Sequence, residues 1–145
     1  MKKKFKFKHK IEKSYKDKRG IINIITHKGF SSCMEVFSKK GSIRANHYHK
    51  KDAHYIYVLN GKILFFYRDR KKNCKLKYKI MKKGDLFFTK SLQDHMAFFL
   101  ENTHFFAFSS RKRTHFNYEN DLVRLKMHKE EMVENIIKKF YTKNK

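Results

Sequence analysis

Residues 41–61 decide the fold of this chain, and they read GSIRANHYHKKDAHYIYVLNG. His47 and His49 stand two positions apart within a segment that has the pattern of a β-strand. Because side chains on a strand alternate between its two faces, both imidazoles point to the same side. His54 opens a second strand pattern, HYIYVL, in which Ile56 and Val58 share the face of that histidine. The stretch therefore predicts three imidazoles that face one interior.

Two further features extend this pattern. Asn60-Gly61 closes the second strand, and this pair is the strongest short signal for a two-residue β-hairpin. His95 lies in a later apolar segment, DLFFTKSLQDHMAFFL, and can supply a fourth imidazole. The sequence thus predicts a cluster of four histidines inside a β structure.

The spacing resembles the first motif of the cupin family, G-x5-H-x-H-x3-4-E-x6-G. Gly41, His47, His49 and Gly61 match that motif, and His54 stands where the family usually has Glu. The second cupin motif, G-x5-P-x-G-x2-H-x3-N, is matched by Gly84 and His95. The residues that replace its Pro, Gly and Asn are Lys90, Leu92 and Phe99.

The resemblance spans roughly residues 20–110 and implies a single cupin double-stranded β-helix, which is a jelly-roll barrel. The order of short strand patterns and turn signals independently indicates an all-β sandwich or barrel. We expect a basic N-terminal strand or arm over 1–20, the β-barrel over 21–110 and a C-terminal extension over 111–145.

The extension contains a change of period. Residues 117–124 are interpreted as a connecting stretch, and 130–140 as a short amphipathic α-helix. The apolar residues of that helix repeat at helical spacing: Met132, Val133, Ile136, Ile137 and Phe140. We expect this stripe to pack on the barrel or on a second subunit.

Composition restricts the class of protein. The net charge is +24, from 37 Lys and Arg against 13 Asp and Glu. Such a charge indicates either an anionic partner or an AT-rich coding bias, which also favours Phe, Ile, Asn and Tyr. Nucleic-acid binding is unlikely because the sequence has no zinc-finger spacing, RNP-like motif or recognition helix.

The sequence also predicts where the protein acts. No apolar run reaches the roughly 20 residues of a membrane helix, so we expect no membrane association. The N-terminus is basic but has no apolar segment of a secretory signal, which predicts a cytoplasmic protein. Cys33 and Cys74 are interpreted as reduced thiols.

The four histidines suit a divalent first-row transition metal such as Zn, Fe or Ni. The predicted ligands are His47, His49, His54 and His95, with no organic cofactor. The alternative is a metal-free pocket, because some cupins use these histidines as acid/base groups.

A narrower resemblance favours that alternative. Residues 44–50, RANHYHK, look like the R-G-x-H-Y/A-Q/H-K stretch of cupins that act on nucleotide-linked 4-keto-6-deoxy sugars, the 3,5-epimerases and 3,4-ketoisomerases. Asp17-x-Arg19-Gly20 resembles their D-x-R-G element. Residues 117–124, NYENDLVR, look like the end of uncharacterised cupins from polysaccharide gene clusters.

The resemblance implies that His47 and His49 are catalytic and that Arg19 and Arg44 bind a nucleotide diphosphate. Two features depart from it. Ala45 replaces the family's Gly, and strict alternation puts Arg44 on the face opposite His47 unless the strand bulges. The tyrosine that epimerases use as an acid has no clear position in the sequence.

Three functions stay open at this point. The first is an epimerase or isomerase of a nucleotide-linked keto-sugar in polysaccharide biosynthesis. The second is a metal-dependent oxygenase, and the third is a non-catalytic sugar-binding or regulatory cupin. A homodimer is also expected, because Phe5, Phe7 and the stripe of the C-terminal helix offer apolar surface to bury.

Overall fold

The computed structural model describes residues 8–9, 13–18, 20–25 and 29–142. Twelve strands and two α-helices are formed in these ranges. In chain order the elements are β1 Lys8–His9, β2 Lys13–Asp17, β3 Gly20–Ile24, β4 Ser32–Ser38, β5 Ile43–His49, β6 His54–Asn60, β7 Lys62–Asp69, β8 Lys77–Lys82, β9 Leu86–Thr89, β10 Gln93–Phe99, β11 Thr103–Ser109, α1 His115–Asp121, β12 Leu122–Arg124, a 3-10 turn Met127–Lys129 and α2 Glu131–Thr142.

Ten of the strands form two five-stranded antiparallel sheets. The first has the order β1-β9-β6-β11-β4, and the second has the order β12-β5-β10-β7-β8. Their inner faces enclose one core, in which Val58, Phe65, Phe87 and Phe99 are fully or almost fully buried. This arrangement confirms the all-β jelly-roll barrel with a short C-terminal helix.

The prediction of a hairpin at Asn60-Gly61 was wrong. β6 belongs to the first sheet and β7 to the second, so the chain turns a corner between sheets at Gly61. Gly61 has a φ of +92°, and a Cβ there would lie 2.5 Å from the carbonyl oxygen of Asn102. Only glycine tolerates this turn. β5, which carries His47 and His49, lies in the second sheet, so it is in the sheet opposite β6, which carries His54.

Helix α2 packs on the outside of the second sheet. Its residues Val133, Ile136, Ile137, Phe140 and Tyr141 cover an apolar cluster formed by the outward side chains of that sheet: Leu64, Phe66, Met96 and Phe98. The predicted amphipathic helix is confirmed, and its stripe is used within the chain. Met132 stays 47% exposed and lies outside this contact.

The interpretation of residues 117–124 as a connecting stretch was wrong. Thr114 accepts a hydrogen bond from the backbone N–H of Asn117 and so caps α1 at its N-terminus. The chain then leaves the helix as β12, which pairs antiparallel with β5 from Leu122 opposite His49 to Arg124 opposite His47. The C-terminal extension therefore adds a strand directly beside the histidine strand.

The N-terminal region is described only in part. β2 and β3 form a two-stranded sheet in which Asp17 pairs with Gly20. Of the strand or arm expected over 1–20, Lys8 and His9 pair with β9, whereas Phe5 and Phe7 lie outside the described residues. No helix within the described ranges is long and apolar enough to cross a membrane.

Candidate functional site

A cavity of about 310 Å³ opens between the two sheets. Its polar lining consists of all four predicted histidines together with Arg44, Arg113 and Tyr118. Its apolar lining includes core residues: Met34, Val36, Ile56, Phe65, Ala97, Phe99, Phe105 and Ala107.

Both sheets contribute to the histidine cluster, which we define as His47, His49, His54 and His95. β5 supplies the first two, and His95 of β10 is the register partner of His47. His54 comes from the start of β6 in the opposite sheet. The ring centroids of His47 lie 4.7 Å from His49 and 4.8 Å from His95, and His54 lies 5.5 Å from His49. The structure thus brings together all four residues that the sequence selected.

A β-bulge in β5 decides the position of Arg44. His95 of β10 pairs with His47, and the next residue, Met96, pairs with Ala45. Asn46 therefore has no register partner on β10. Ala45 and Asn46 each have a φ of +61°. The bulge reverses the alternation and places Arg44 on the cavity side, where it lines the opening.

The C-terminal extension holds this bulge in place. The side-chain oxygen of Asn46 accepts from the backbone N–H of Met127 at 2.9 Å, and its backbone carbonyl accepts from Leu125 at 2.8 Å. The amide nitrogen of Asn46 lies 2.6 Å from Nδ1 of His128. These contacts stabilise a left-handed backbone that costs an alanine roughly 1–2 kcal/mol.

Arg44 is exposed at the mouth of the cavity and is anchored to β4. Its Nε donates to Ser38 Oγ at 2.7 Å, and its Nη2 donates to the carbonyl of Phe37 at 3.1 Å. Arg19, the other predicted anion-binding residue, lies outside the described residues.

Hydrogen bonds fix the tautomers of two histidines. Nδ1 of His95 lies 2.8 Å from the carbonyl oxygen of Gln93, and Nδ1 of His49 lies 3.0 Å from Oδ2 of Asp121. Each of these partners accepts hydrogen bonds, so Nδ1 carries the proton in both rings. The lone pair of Nε2 is then directed away from the partner. Both Nε2 atoms, and Nδ1 of His54, are buried with no hydrogen-bond partner among the described residues.

Burial keeps the cluster neutral. Burial, and after it the neighbouring His95 and His49, lower the pKa of His47 to about 2. Burial also lowers the pKa of His95 to about 4, against a raising effect of the Gln93 carbonyl. The pKa of His54 is well below its usual range for the same first cause. His49 differs because Asp52 and Asp121 oppose the lowering of its pKa by burial.

Sequence reasoning missed three residues of the site, and all come from residues 111–121. Asp121 binds His49 and also accepts from the backbone N–H groups of Lys51 and Asp52. Tyr118 lies with its ring centroid 5.9 Å from that of His47. Arg113 stacks over the Tyr118 ring at 4.0 Å. The one available signal was the likeness of residues 117–124 to the end of polysaccharide-cluster cupins.

The donor set fits a transition metal. His47, His49 and His95 offer nitrogens that lie within 4.8 Å of one another, and so do the donor atoms of His49, Asp52 and His54. Asp52 is already held by Ser109 and by Ser110, whose Oγ lies 2.9 Å from Oδ1. The three-histidine group therefore fits a metal better, since two of its Nε2 atoms lack any other partner.

Comparison of the sequence with models of known families and with curated proteins gives no match. Solved structures do match. A 3,4-ketoisomerase from Helicobacter canadensis has a TM-score of 0.65 at 15% identity, with 84% of this chain and 92% of that chain covered. A variant 3,4-ketoisomerase from Thermoanaerobacterium thermosaccharolyticum, in complex with TDP-4-keto-6-deoxyglucose, has 0.63 at 17%, with 88% and 91% covered.

A dTDP-4-dehydrorhamnose 3,5-epimerase from Sulfolobus tokodaii has a TM-score of 0.60 at 20% identity, with 72% of this chain and 69% of that chain covered. At these identities the likeness establishes the fold. The chain shares its jelly-roll barrel with enzymes that epimerise or isomerise nucleotide-linked deoxysugars.

Proposed function

We propose that the protein is an epimerase or ketoisomerase of a nucleotide-linked 4-keto-6-deoxy sugar, acting in polysaccharide biosynthesis. One observation carries the proposal: His47 and His49 lie side by side as buried imidazoles. His49 is hydrogen-bonded to the carboxylate of Asp121, which sets the two rings apart. Such a pair can accept a proton at one position and donate or polarise at another. The structural neighbours support it, because their names specify this class of reaction.

In this proposal His47 is the general base. A proton on the carbon beside a ketone becomes removable when the resulting enolate is stabilised. Burial keeps the imidazole of His47 neutral at pH 7, which is the form that can accept a proton. Negative charge that develops on the substrate beside it would raise its pKa and so its strength as a base. The pocket excludes water from most of the ring, which strengthens any charge interaction formed during the reaction.

His49 is the proposed partner of the ketone oxygen. Its single proton is on Nδ1 and is donated to Asp121, so Nε2 must first take up a proton from solvent before His49 can donate to the ketone oxygen. The Asp121 carboxylate orients the ring and favours that protonated form. Tyr118 is a second proposed acid, since its ring lies against both His47 and His49. Return of the proton to the opposite face of the same carbon would make the protein an epimerase. Its transfer to the neighbouring carbon would make the protein a ketoisomerase.

Arg113 is the main proposed contact for the diphosphate, together with Arg44 and Arg19. Arg113 lines the cavity and is held flat against Tyr118. Arginine suits this role because its planar fork binds phosphate oxygens in pairs. Arg44 is tied to β4 and would contribute from a fixed position at the rim.

A bound metal would be held by His47, His49 and His95, with His54 as a further candidate ligand. When bound, a divalent ion would polarise the ketone as a Lewis acid. Elemental analysis after metal-supplemented expression tests this part. We expect near-stoichiometric metal that is lost in His49→Ala. His104→Ala should keep the metal, because His104 pairs with Glu35 and is not one of the proposed ligands. Absence of metal in the wild type would leave His47 and His49 as acid and base alone.

The decisive experiment follows proton exchange. The protein is incubated in deuterated water with a panel of nucleotide-linked 4-keto-6-deoxy sugars, and loss of ring-proton signals is followed by NMR. We expect exchange in the wild type and a fall of roughly 10²–10⁴-fold in His47→Asn. Arg113→Ala should mainly weaken binding, while His104→Asn serves as the matched control and should exchange normally.

Two outcomes would contradict the proposal. Tight binding without exchange would favour a sugar-binding or regulatory cupin. Neither binding nor exchange, together with oxygen uptake on another substrate, would favour the oxygenase.

A cytoplasmic location and a homodimeric state complete the proposal.

A further inference from the structure

Asn46 stands at the point of β5 where the backbone decides which side chains reach the cavity. It has a φ of +61° and no register partner on β10. In a regular strand Arg44 would lie on the face opposite His47, because side chains alternate. The left-handed residues 45 and 46 reverse this order, and Arg44 lines the cavity as a result. The position of Arg44 therefore depends on the conformation of residue 46.

Three contacts join Asn46 to the segment that follows β12. Its backbone carbonyl accepts from the N–H of Leu125 at 2.8 Å, and its side-chain Oδ1 accepts from the N–H of Met127 at 2.9 Å. Its Nδ2 lies 2.6 Å from Nδ1 of His128. We call these three contacts the Asn46 latch.

The latch allows one arrangement of protons. The backbone N–H of Met127 is a donor, so it needs the oxygen of the Asn46 amide, and the amide nitrogen then faces His128. Because that nitrogen can only donate, Nδ1 of His128 is the acceptor and the neutral ring carries its proton on Nε2. The geometry thus fixes both the orientation of the amide and the tautomer of a half-buried histidine.

Packing holds the C-terminal side of the latch in place. Met127 is 1% exposed and belongs to the apolar cluster between helix α2 and the second sheet, and Leu125 packs against the same cluster. A displacement of these two residues would expose part of that cluster, which the hydrophobic effect opposes. The packing of the C-terminal extension outside the barrel is thereby transmitted to β5 at Asn46.

Arg44 is also held from the other sheet. Its guanidinium donates to Ser38 and to the carbonyl of Phe37 on β4, which lies in the first sheet, whereas β5 lies in the second. The side chain therefore bridges the two sheets at the mouth of the cavity. A guanidinium in a fixed position suits a diphosphate, because its planar group binds phosphate oxygens in pairs.

We infer that Asn46 is a positioning residue for the diphosphate site and that it acts through Arg44. Asn46 holds the left-handed backbone, the backbone directs Arg44 into the cavity, and Arg44 meets the diphosphate. Asn46 itself is not among the residues that line the cavity. The inference rests on the proposed function, since the diphosphate is that of the proposed substrate. It gives the C-terminal segment a role in the affinity for the nucleotide.

The test compares two substitutions of the same kind. Asn46→Gly keeps a residue that tolerates a positive φ and removes only the side-chain contacts of the latch. The dissociation constant of thymidine diphosphate, measured by isothermal titration calorimetry, should rise about tenfold, as for the loss of one hydrogen bond to a charged group. Asn73→Gly is the matched control and should bind normally, because Asn73 also has a left-handed backbone, with a φ of +63°, and lies between β7 and β8.

A double-mutant cycle identifies the route. Arg44→Ala should weaken binding at least as much as Asn46→Gly, and the double variant should bind no more weakly than Arg44→Ala alone. A residue with a merely structural role would give additive losses. Additive losses, or an unchanged affinity in Asn46→Gly, would overturn the inference and leave the proposed function in place. A wild type that neither binds the nucleotide nor exchanges protons would contradict the proposed function, and the inference with it.

The tautomer of His128 gives a readout that needs no ligand. At about pH 8 a histidine ordinarily carries one proton, and long-range proton–nitrogen NMR should place it on Nε2 of His128 in the wild type. Asn46→Asp offers an oxygen to each partner, so it should move that proton to Nδ1 and keep the affinity for the nucleotide within about threefold. Circular dichroism should show that the variants are folded. A wild-type His128 that carries its proton on Nδ1 would overturn the inference even if Asn46→Gly failed to fold.

Discussion

The two ends of the barrel interior are built on the same strands but have opposite chemistry. On β6 the inward row begins with His54 and continues with Ile56 and Val58. On β10 it begins with His95 and continues with Ala97 and Phe99. One end therefore holds imidazoles with unsatisfied nitrogens, and the other end is a packed apolar floor.

The residues that stabilise the barrel and those that could react therefore lie at different ends of its interior. Residues of the apolar floor contribute burial, which stabilises the folded state at about 25 cal/mol per Å². The histidine end loses stability, because buried polar atoms without partners are costly. It also contains the left-handed residues Ala45 and Asn46. Backbone strain and buried polar atoms without partners therefore lie at the histidine end of the barrel, as they do at many functional sites.

The largest expected effect comes from the apolar floor. Phe87 is fully buried and packs at a tilt against Phe65, with 4.9 Å between ring centroids. Phe87→Ala should lower the free energy of unfolding by about 3–5 kcal/mol, measured by urea denaturation. Phe116→Ala, which removes a 76% exposed ring, should change it by less than about 0.5 kcal/mol. Equal losses in the two variants would show that Phe87 is not packed in the apolar floor.

The pH dependence of stability tests the histidine end. The folded pKa of His95 is about 4 and that of His47 about 2, both below the usual value of 6.5. The unfolded chain therefore binds more protons below pH 6.5, so the free energy of unfolding falls as the pH drops from 6.5 towards 4. His95 alone should account for about 3 kcal/mol of this loss.

Denaturation of chelator-treated protein between pH 7 and pH 4 measures that slope. His95→Gln should reduce the slope, while His104→Asn should keep it. A stability that is constant from pH 7 to pH 4 would show that the cluster is not buried in its neutral form.

The smallest expected effect concerns backbone strain. Ala45 has a φ of +61°, so Ala45→Gly should relieve a left-handed alanine and raise the free energy of unfolding by about 0.5–1 kcal/mol. Ala53 is a suitable control because it is not one of the described residues with a positive φ. Ala53→Gly should therefore destabilise the protein. The reverse signs would mean that Ala45 is not strained.

Much of the fold could be predicted from the sequence. The short strand patterns and turn signals gave the all-β class, and the strand patterns that carry His47 and His49 and that start at His54 are β5 and β6 of the structure. The Asn60-Gly61 signal misled because local turn chemistry cannot distinguish a hairpin from a corner between two sheets. The close contact of Gly61 with Asn102 exists only once β11 lies beside β6.

The four histidines could be selected because their spacing is local and regular. Asp121, Tyr118 and Arg113 could not, since nothing in residues 111–121 alternates or repeats, and their roles depend on β12 pairing with β5. The position of Arg44 depended on a bulge at Ala45 and Asn46, which alternation alone would have excluded.

The pairing of β12 with β5 also has a consequence for biosynthesis. The ribosome releases the chain from the N-terminus, so all four histidines emerge before the partner of His49, Asp121, has been made. A nascent barrel that ends before residue 115 would contain the histidine cluster but neither its carboxylate nor its tyrosine. The reactivity proposed for the cluster would therefore be withheld until the residues of α1 have been synthesised.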